Sequence, residues 1–289
     1  VRAGWPLSLA LFALTLASTL YVGAGMANHP VEGLADLAYG APFALPLLAI
    51  LVVHEFGHYI AGRIHGVDIS PPLFIPMPLA LLGTMGAVIS MRSRIRSRNA
   101  LLDVGAAGPL AGLVVAIPVL VIGLMQSPID PLPAAGSAYL IEGRSLLYTA
   151  LIWLVKGPIP EGHDVFLSPT AFAGWAGLLV TMINLLPVGQ LDGGHVAYAL
   201  LGERQNVWSK RIRYALPAVA VTISALYLDW SAGLQWLVWS GVLWLMLRNA
   251  PEEHPPTDDD TLSRGRSIVA LVTLVFFVLL FMPSWIRSA

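Results

Sequence analysis

His54-Glu55-Phe56-Gly57-His58 places two imidazoles four residues apart, with a carboxylate beside the first. At 3.6 residues per turn, such positions share one helix face. Both rings can then bind one Zn²⁺ while Glu55 serves as general base. A catalytic zinc site needs a third protein ligand and one position kept for water. The chain has no cysteine, so that ligand must be histidine or carboxylate. The best candidate is Asp192, in the stretch NLLPVGQLDGGH that runs from Asn184 to His195. His195 competes, three residues further on and on a nearby face if the segment is helical. Pro187, Gly193 and Gly194 argue against one continuous helix there. The bland alternatives are a pair of hydrogen-bonding histidines with a neutral Glu55, and Asp192 as a turn or cap residue.

These residues lie in apolar surroundings. Hydrophobic residues make up 56% of the chain and charged ones 11%, well below the ~25% charge of soluble domains. The mean hydropathy of +0.73 comes from long apolar blocks, several reaching the ~20 residues that span a bilayer. Two histidines and a glutamate inside such a block are costly and mark function. The net charge of -1 gives no reason to expect a nucleic-acid partner. The fold expected is an all-α polytopic membrane protein with about six to seven transmembrane helices.

The spans run roughly over 6–26, 41–63, 101–125, 169 to the 184–195 region, 213–228, 231–247 and 267–283. The first is too long for a signal peptide and reads as a retained span. Two stretches differ. Pro71–Met91 is apolar but holds four prolines and two glycines, which break a helix. Irregular backbone survives at membrane depth only under protein cover, so a re-entrant β-hairpin-like segment fits. Tyr139–Val155, interrupted by Glu142 and Arg144, reads as a surface segment or partial helix.

Cations set the orientation. Arg63, Arg92, Arg94, Arg96 and Arg98 follow the second span. Arg204, Lys210, Arg211 and Arg213 follow the fourth, and Arg248, Arg264 and Arg266 flank the acidic link. The opposite side carries Glu32, Asp36, Asp130, Glu142, Glu161 and Asp164, with Arg144 and Lys156. The amino terminus and the Arg-rich loops are therefore expected in the cytoplasm, and the chain in the cell membrane as a multi-pass protein.

HExxH in the second span, followed by NxxPxxxLDGG, resembles the site-2 protease family of intramembrane zinc metalloproteases, peptidase family M50. Gly83-Thr84-Met85-Gly86-Ala87 and Ala107-Gly108-Pro109-Leu110-Ala111-Gly112 look alike too. The resemblance covers about 41–202 and is closest to the branch without an inserted PDZ domain. It implies that His54, His58 and Asp192 bind one Zn²⁺ per chain, that Glu55 is the catalytic base, and that the Asn184 amide holds a substrate carbonyl or the oxyanion. The activity implied is hydrolysis of peptide bonds within or at the edge of transmembrane segments, as in regulated intramembrane proteolysis. A substrate helix must unwind to be cut, and residues 83–91 could hold it by strand addition, with Ala87, Ile89 and Met91 on one face.

The organisation expected is a first helix and outer loop (1–40), the catalytic core (41–202), two further helices (203–248), an acidic Pro-rich cytoplasmic linker (249–266) and a last helix with its tail (267–289). Gly108 and Gly112 read as a helix-packing pair. His29, His65, His163 and His254 read as loop or surface residues, and 258–260 as a solvated link. The rival readings are a metal-ion transporter, a prenyl-protein protease and a catalytically inactive membrane scaffold. A transporter needs no general base, a prenyl-protein protease would take a later Glu as third ligand, and a scaffold needs no intact ligand set.

Overall fold

The computed structural model describes residues 4–91, 93–134, 139–248, 254–258 and 261–288. The chain is mostly helical. Helix α1 (Trp5–Met26) is followed by a 3-10 turn (Leu34–Gly40) that runs into α2 (Ala41–Ile64). Strands β1 (Leu73–Pro76) and β2 (Thr84–Val88) lead to α3 (Arg98–Gln126). Then come β3 (Ile129–Pro131), β4 (Leu140–Glu142), α4 (Leu146–Lys156), β5 (His163–Val165) and α5 (Pro169–Asn184). The remainder is α6 (Asp192–Leu201), α7 (Arg204–Tyr227), α8 (Trp230–Arg248), α9 (Arg264–Leu280) and β6 (Ile286–Ser288).

Among the described residues, three helical stretches are long and apolar enough to cross a membrane: Trp5–Met26, Leu34–Ile64 and Arg98–Gln126. Helices also occupy the positions of the later expected spans. At 16 and 17 residues, α5 and α9 reach only about 24–26 Å at 1.5 Å per residue. The first half of α7 carries Arg204, Lys210, Arg211 and Arg213, so its helix starts well before the apolar run that sequence reading marks as a span.

The residues fall into two compact units: Val1–Ile95 with Ala107–Asp130 and Ile152–Thr181, and Arg96–Ala106 with Pro131–Leu151 and Met182–Ala289. In the first, small residues let helices meet backbone to backbone. A β-carbon on Gly23 would lie 2.6 Å from the Gly40 carbonyl oxygen, and one on Gly57 would lie 2.6 Å from that of Ala107. In lipid, close packing of small residues replaces the hydrophobic effect as the force between helices. The buried face of α2 adds Phe43, Leu47, Leu48, Ile50 and Leu51.

The proline- and glycine-rich stretch forms the expected hairpin. β1 and β2 pair antiparallel, Leu73 opposite Val88 and Phe74 opposite Ala87, with an irregularity before Pro76 opposite Thr84. An isolated bridge, Ile69 with Met91, extends the ladder. α1 secures its ends: Ser8 Oγ donates to the Pro72 carbonyl at 2.5 Å, and Ser18 Oγ to that of Gly83 at 2.6 Å. Two backbone acceptors in an apolar setting are thereby satisfied. β1 runs along α1, while β2 approaches α2.

The second unit packs α6 against α7 and α9, and α7 against α8. β4 pairs antiparallel with β6, so 139–155 forms a short strand and a partial helix. Trp236, fully buried, donates Nε1–H to the Pro283 carbonyl at 2.6 Å. Arg266 grips Asp103 with both arms of its guanidinium, at 2.6–3.0 Å, and ties the start of α9 to α3.

Candidate metal centre

The HExxH residues sit in the second half of α2, where helical spacing puts both imidazoles on one face. His54, Glu55 and His58 are 2%, 7% and 8% exposed. The Nε2 atoms of the two histidines face each other at 3.2 Å, with the rings 66° apart. Two nitrogens at the usual 2.0–2.1 Å from one tetrahedral zinc are about 3.3 Å apart. The observed separation fits a pair of ligands on one ion.

Room for these rings comes from α3. A β-carbon on Gly108 would overlap the His58 ring at Nε2, and one on Gly112 would lie 3.2 Å from His54 Nδ1. The glycine pair expected to serve helix packing is thus packed against the candidate ligands themselves. Gly57, the second variable position of the motif, has its own reason, because the α3 backbone passes it at Ala107.

Asp192 is the first residue of α6, following Leu191 in extended conformation. The helix break expected before it is present. α5 ends at Asn184, and 185–191 turn through Gly189 at φ +55°, where the Gly189 N–H donates to Ser209 Oγ at 2.8 Å. A β-carbon on Gly193 would collide with the Leu185 carbonyl, and one on Gly194 with that of Gly189. The two glycines after Asp192 therefore let the turn fold back onto α6. Gly105 of α3 plays the same part further along, since a β-carbon there would lie 2.8 Å from His195 Cβ and 3.3 Å from the Asp192 carbonyl oxygen.

The three candidate donors are His54 and His58 in the first unit and Asp192 in the second. Two imidazoles and one carboxylate are a donor set that suits zinc. His195, the competing ligand, also lies in the second unit. It is buried, and its Nδ1 lies 2.8 Å from Nε2 of His254. Asn184 is half-buried at the end of α5.

His254 corrects the expectation of a loop or surface residue. It is 6% exposed, stacked on the Tyr198 ring at 4.2 Å, and its backbone N–H donates to Asn206 Oδ1 at 2.9 Å. Sequence reading missed it because a Pro- and Asp-rich stretch has no periodicity to betray burial. Of the acidic run, Asp258 is exposed as expected, and 259–260 lie outside the described residues, as does Arg92. His29 is half-buried and stacked on Tyr39.

Comparison with known proteins decides the family. Residues 42–227 match peptidase family M50. The chain belongs to that family. The M50 match begins at the start of α2 and ends with α7, so it includes both HExxH and Asp192. The chain is similar to probable zinc metalloprotease EGY2, chloroplastic, of Oryza sativa subsp. japonica, with 32% identity over 254 residues, 85% of this chain and 43% of the relative. The EGY2 of Arabidopsis thaliana is 30% identical over 252 residues, 84% and 43% of the two chains. Probable zinc metalloprotease EGY1, chloroplastic, of Arabidopsis thaliana is 30% identical over 251 residues, with the same coverage. The chain spans less than half the length of these relatives. No solved structure matches.

Proposed function

We propose that this chain is an intramembrane zinc metalloprotease that hydrolyses peptide bonds within, or at the edge of, transmembrane segments of membrane-protein substrates. The observation that carries the reading is the buried HExxH face of α2, its two Nε2 atoms 3.2 Å apart, in a chain of the M50 peptidases. His54, His58 and Asp192 hold the metal. When bound, zinc polarises the scissile carbonyl and lowers the pKa of a water. Glu55 takes the proton of the attacking water and returns it to the leaving amine. Asn184 donates to the carbonyl oxygen as it becomes an oxyanion, a contribution of about 3 kcal/mol for a well-placed donor.

The hairpin supports the handling of substrate. A transmembrane helix hides its peptide bonds in internal hydrogen bonds, so it must unwind before it can be cut. β2 belongs to a two-stranded sheet, so β1 occupies one side of it, and β2 approaches the helix that bears HExxH. Its other edge offers backbone groups to an unwound segment by strand addition. In this reading the chain spans the bilayer six to seven times, in a cell membrane with its Arg-rich loops cytoplasmic.

The test is cleavage of a membrane-protein substrate, with Glu55→Gln as the control. The variant is expected to keep its zinc and lose cleavage entirely. Cleavage at the wild-type rate in zinc-loaded Glu55→Gln would remove the proposed base from the mechanism.

A further inference from the structure

We propose that His254 is a positioning residue for the first turn of α6, acting through His195, so that the segment following α8 helps to hold Asp192. The inference rests on the reading of Asp192 as a zinc ligand.

The hydrogen-bond chain has one consistent direction. The Pro255 carbonyl can only accept, and it lies 2.8 Å from His254 Nδ1. His254 therefore carries its proton on Nδ1, and in the neutral ring Nε2 is an acceptor. The partner at 2.8 Å, His195 Nδ1, must donate. His195 is thus fixed as the Nδ1–H tautomer, with its ring orientation set by a residue 59 positions away.

His195 is well placed to transmit that constraint. It lies one helical turn after Asp192, and its backbone N–H donates to the Leu191 carbonyl at 2.9 Å, closing the first turn of α6. Its Cβ packs against Gly105 of α3. The side chain is therefore held by α3 on one side and His254 on the other.

His254 is itself anchored. Asn206 of α7 accepts its N–H, the Tyr198 ring covers its face, and four residues on the Asp258 N–H donates to the Arg96 carbonyl at 2.7 Å. The strap so formed crosses the start of α3 and the α6–α7 pair. A ligand displaced by a fraction of an ångström loses both metal affinity and catalytic geometry.

The experiment measures the rate of zinc loss from the purified full chain to excess chelator, with a thermal melt of each variant. Wild type is compared with His254→Leu, which abolishes the acceptor, His254→Gln, which keeps an acceptor near Nε2, and Asn206→Ala, which loosens the strap alone. His254→Leu is expected to lose zinc on the order of tenfold faster, and His254→Gln to stay within roughly twofold of wild type. Asn206→Ala is expected to fall between them, and it carries the test together with His254→Gln if His254→Leu does not fold. Equal rates in wild type and His254→Leu, or equal acceleration in His254→Leu and His254→Gln, would overturn the inference while leaving the metalloprotease reading intact. A wild type that binds no zinc would overturn that reading, and the inference with it.

Discussion

Gly108 lies so close beneath the His58 imidazole that a β-carbon there would occupy the same space as ring Nε2. One backbone position of α3 thus fixes where a candidate ligand of α2 can sit. Gly108→Ala must push the ring aside or separate the helices, and overpacking of this kind costs about 1–3 kcal/mol. The expected outcome is a lower melting temperature and reduced zinc occupancy. Full zinc with an unchanged melt would show that the ring does not depend on this glycine.

Gly83 marks the end of the hairpin turn at φ +70°. A side chain there is strained in the left-handed region and meets Thr19 Cα at 2.8 Å and the Ser18 carbonyl at 2.9 Å. Gly83→Ala should destabilise the α1–hairpin contact by roughly 1–3 kcal/mol and expose residues 77–83 to limited proteolysis. Ser18→Ala, which removes the hydrogen bond from Ser18 Oγ to the Gly83 carbonyl, should do so more weakly, by about 1 kcal/mol. Digestion patterns matching wild type in both variants would contradict the clamp.

Arg266 and Asp103 make a bidentate pair, but their side chains remain 38% and 27% exposed. Such a pair is worth at most about 1 kcal/mol, despite its good geometry. Arg266→Gln should therefore shift the melt only slightly and leave zinc content unchanged. A large loss of either would assign α9 a stronger role than the pair's exposure supports.

Burial holds the His254 imidazole below its ordinary 6.5, opposed by the hydrogen bond to Pro255. The groups that face it are His195 and Tyr198 of α6 and the neutral Asn206 of α7. Because the folded value is depressed, the strap's contribution to stability is complete above pH 6.5. It is lost as pH falls from there through the folded value. Hydrogen exchange over 254–258, corrected for its intrinsic pH dependence, should accelerate between pH 7.5 and pH 5.5 in wild type but not in His254→Gln. Equal protection at both pH values in wild type would count against the buried neutral ring.

The parts of the site that rest on local spacing were legible in the sequence. HExxH declares itself because a helix brings i and i+4 together, and Pro187 with Gly193 and Gly194 announces the break before α6. The hairpin was legible for the same kind of reason, since Pro71, Pro72, Pro76 and Pro78 deny a helix to an apolar stretch. What depends on a distant element was not legible. Gly108 and Gly112 look like any small-residue pair until His54 and His58 are seen beside them. His254 owes its burial to Tyr198 and Asn206, some fifty residues earlier in the chain. The early start of α7 was hidden because its first turns are cationic and carry no apolar run.

The most direct measurement is zinc per chain, by elemental analysis of the purified protein and of His58→Ala and Asp192→Ala. About one zinc in wild type is expected from the three-ligand, one-ion site, with sharp loss in both variants while their melts show a folded chain. Undiminished zinc in folded Asp192→Ala would move the third ligand elsewhere, and a chain that binds no zinc at all would contradict the metalloprotease account.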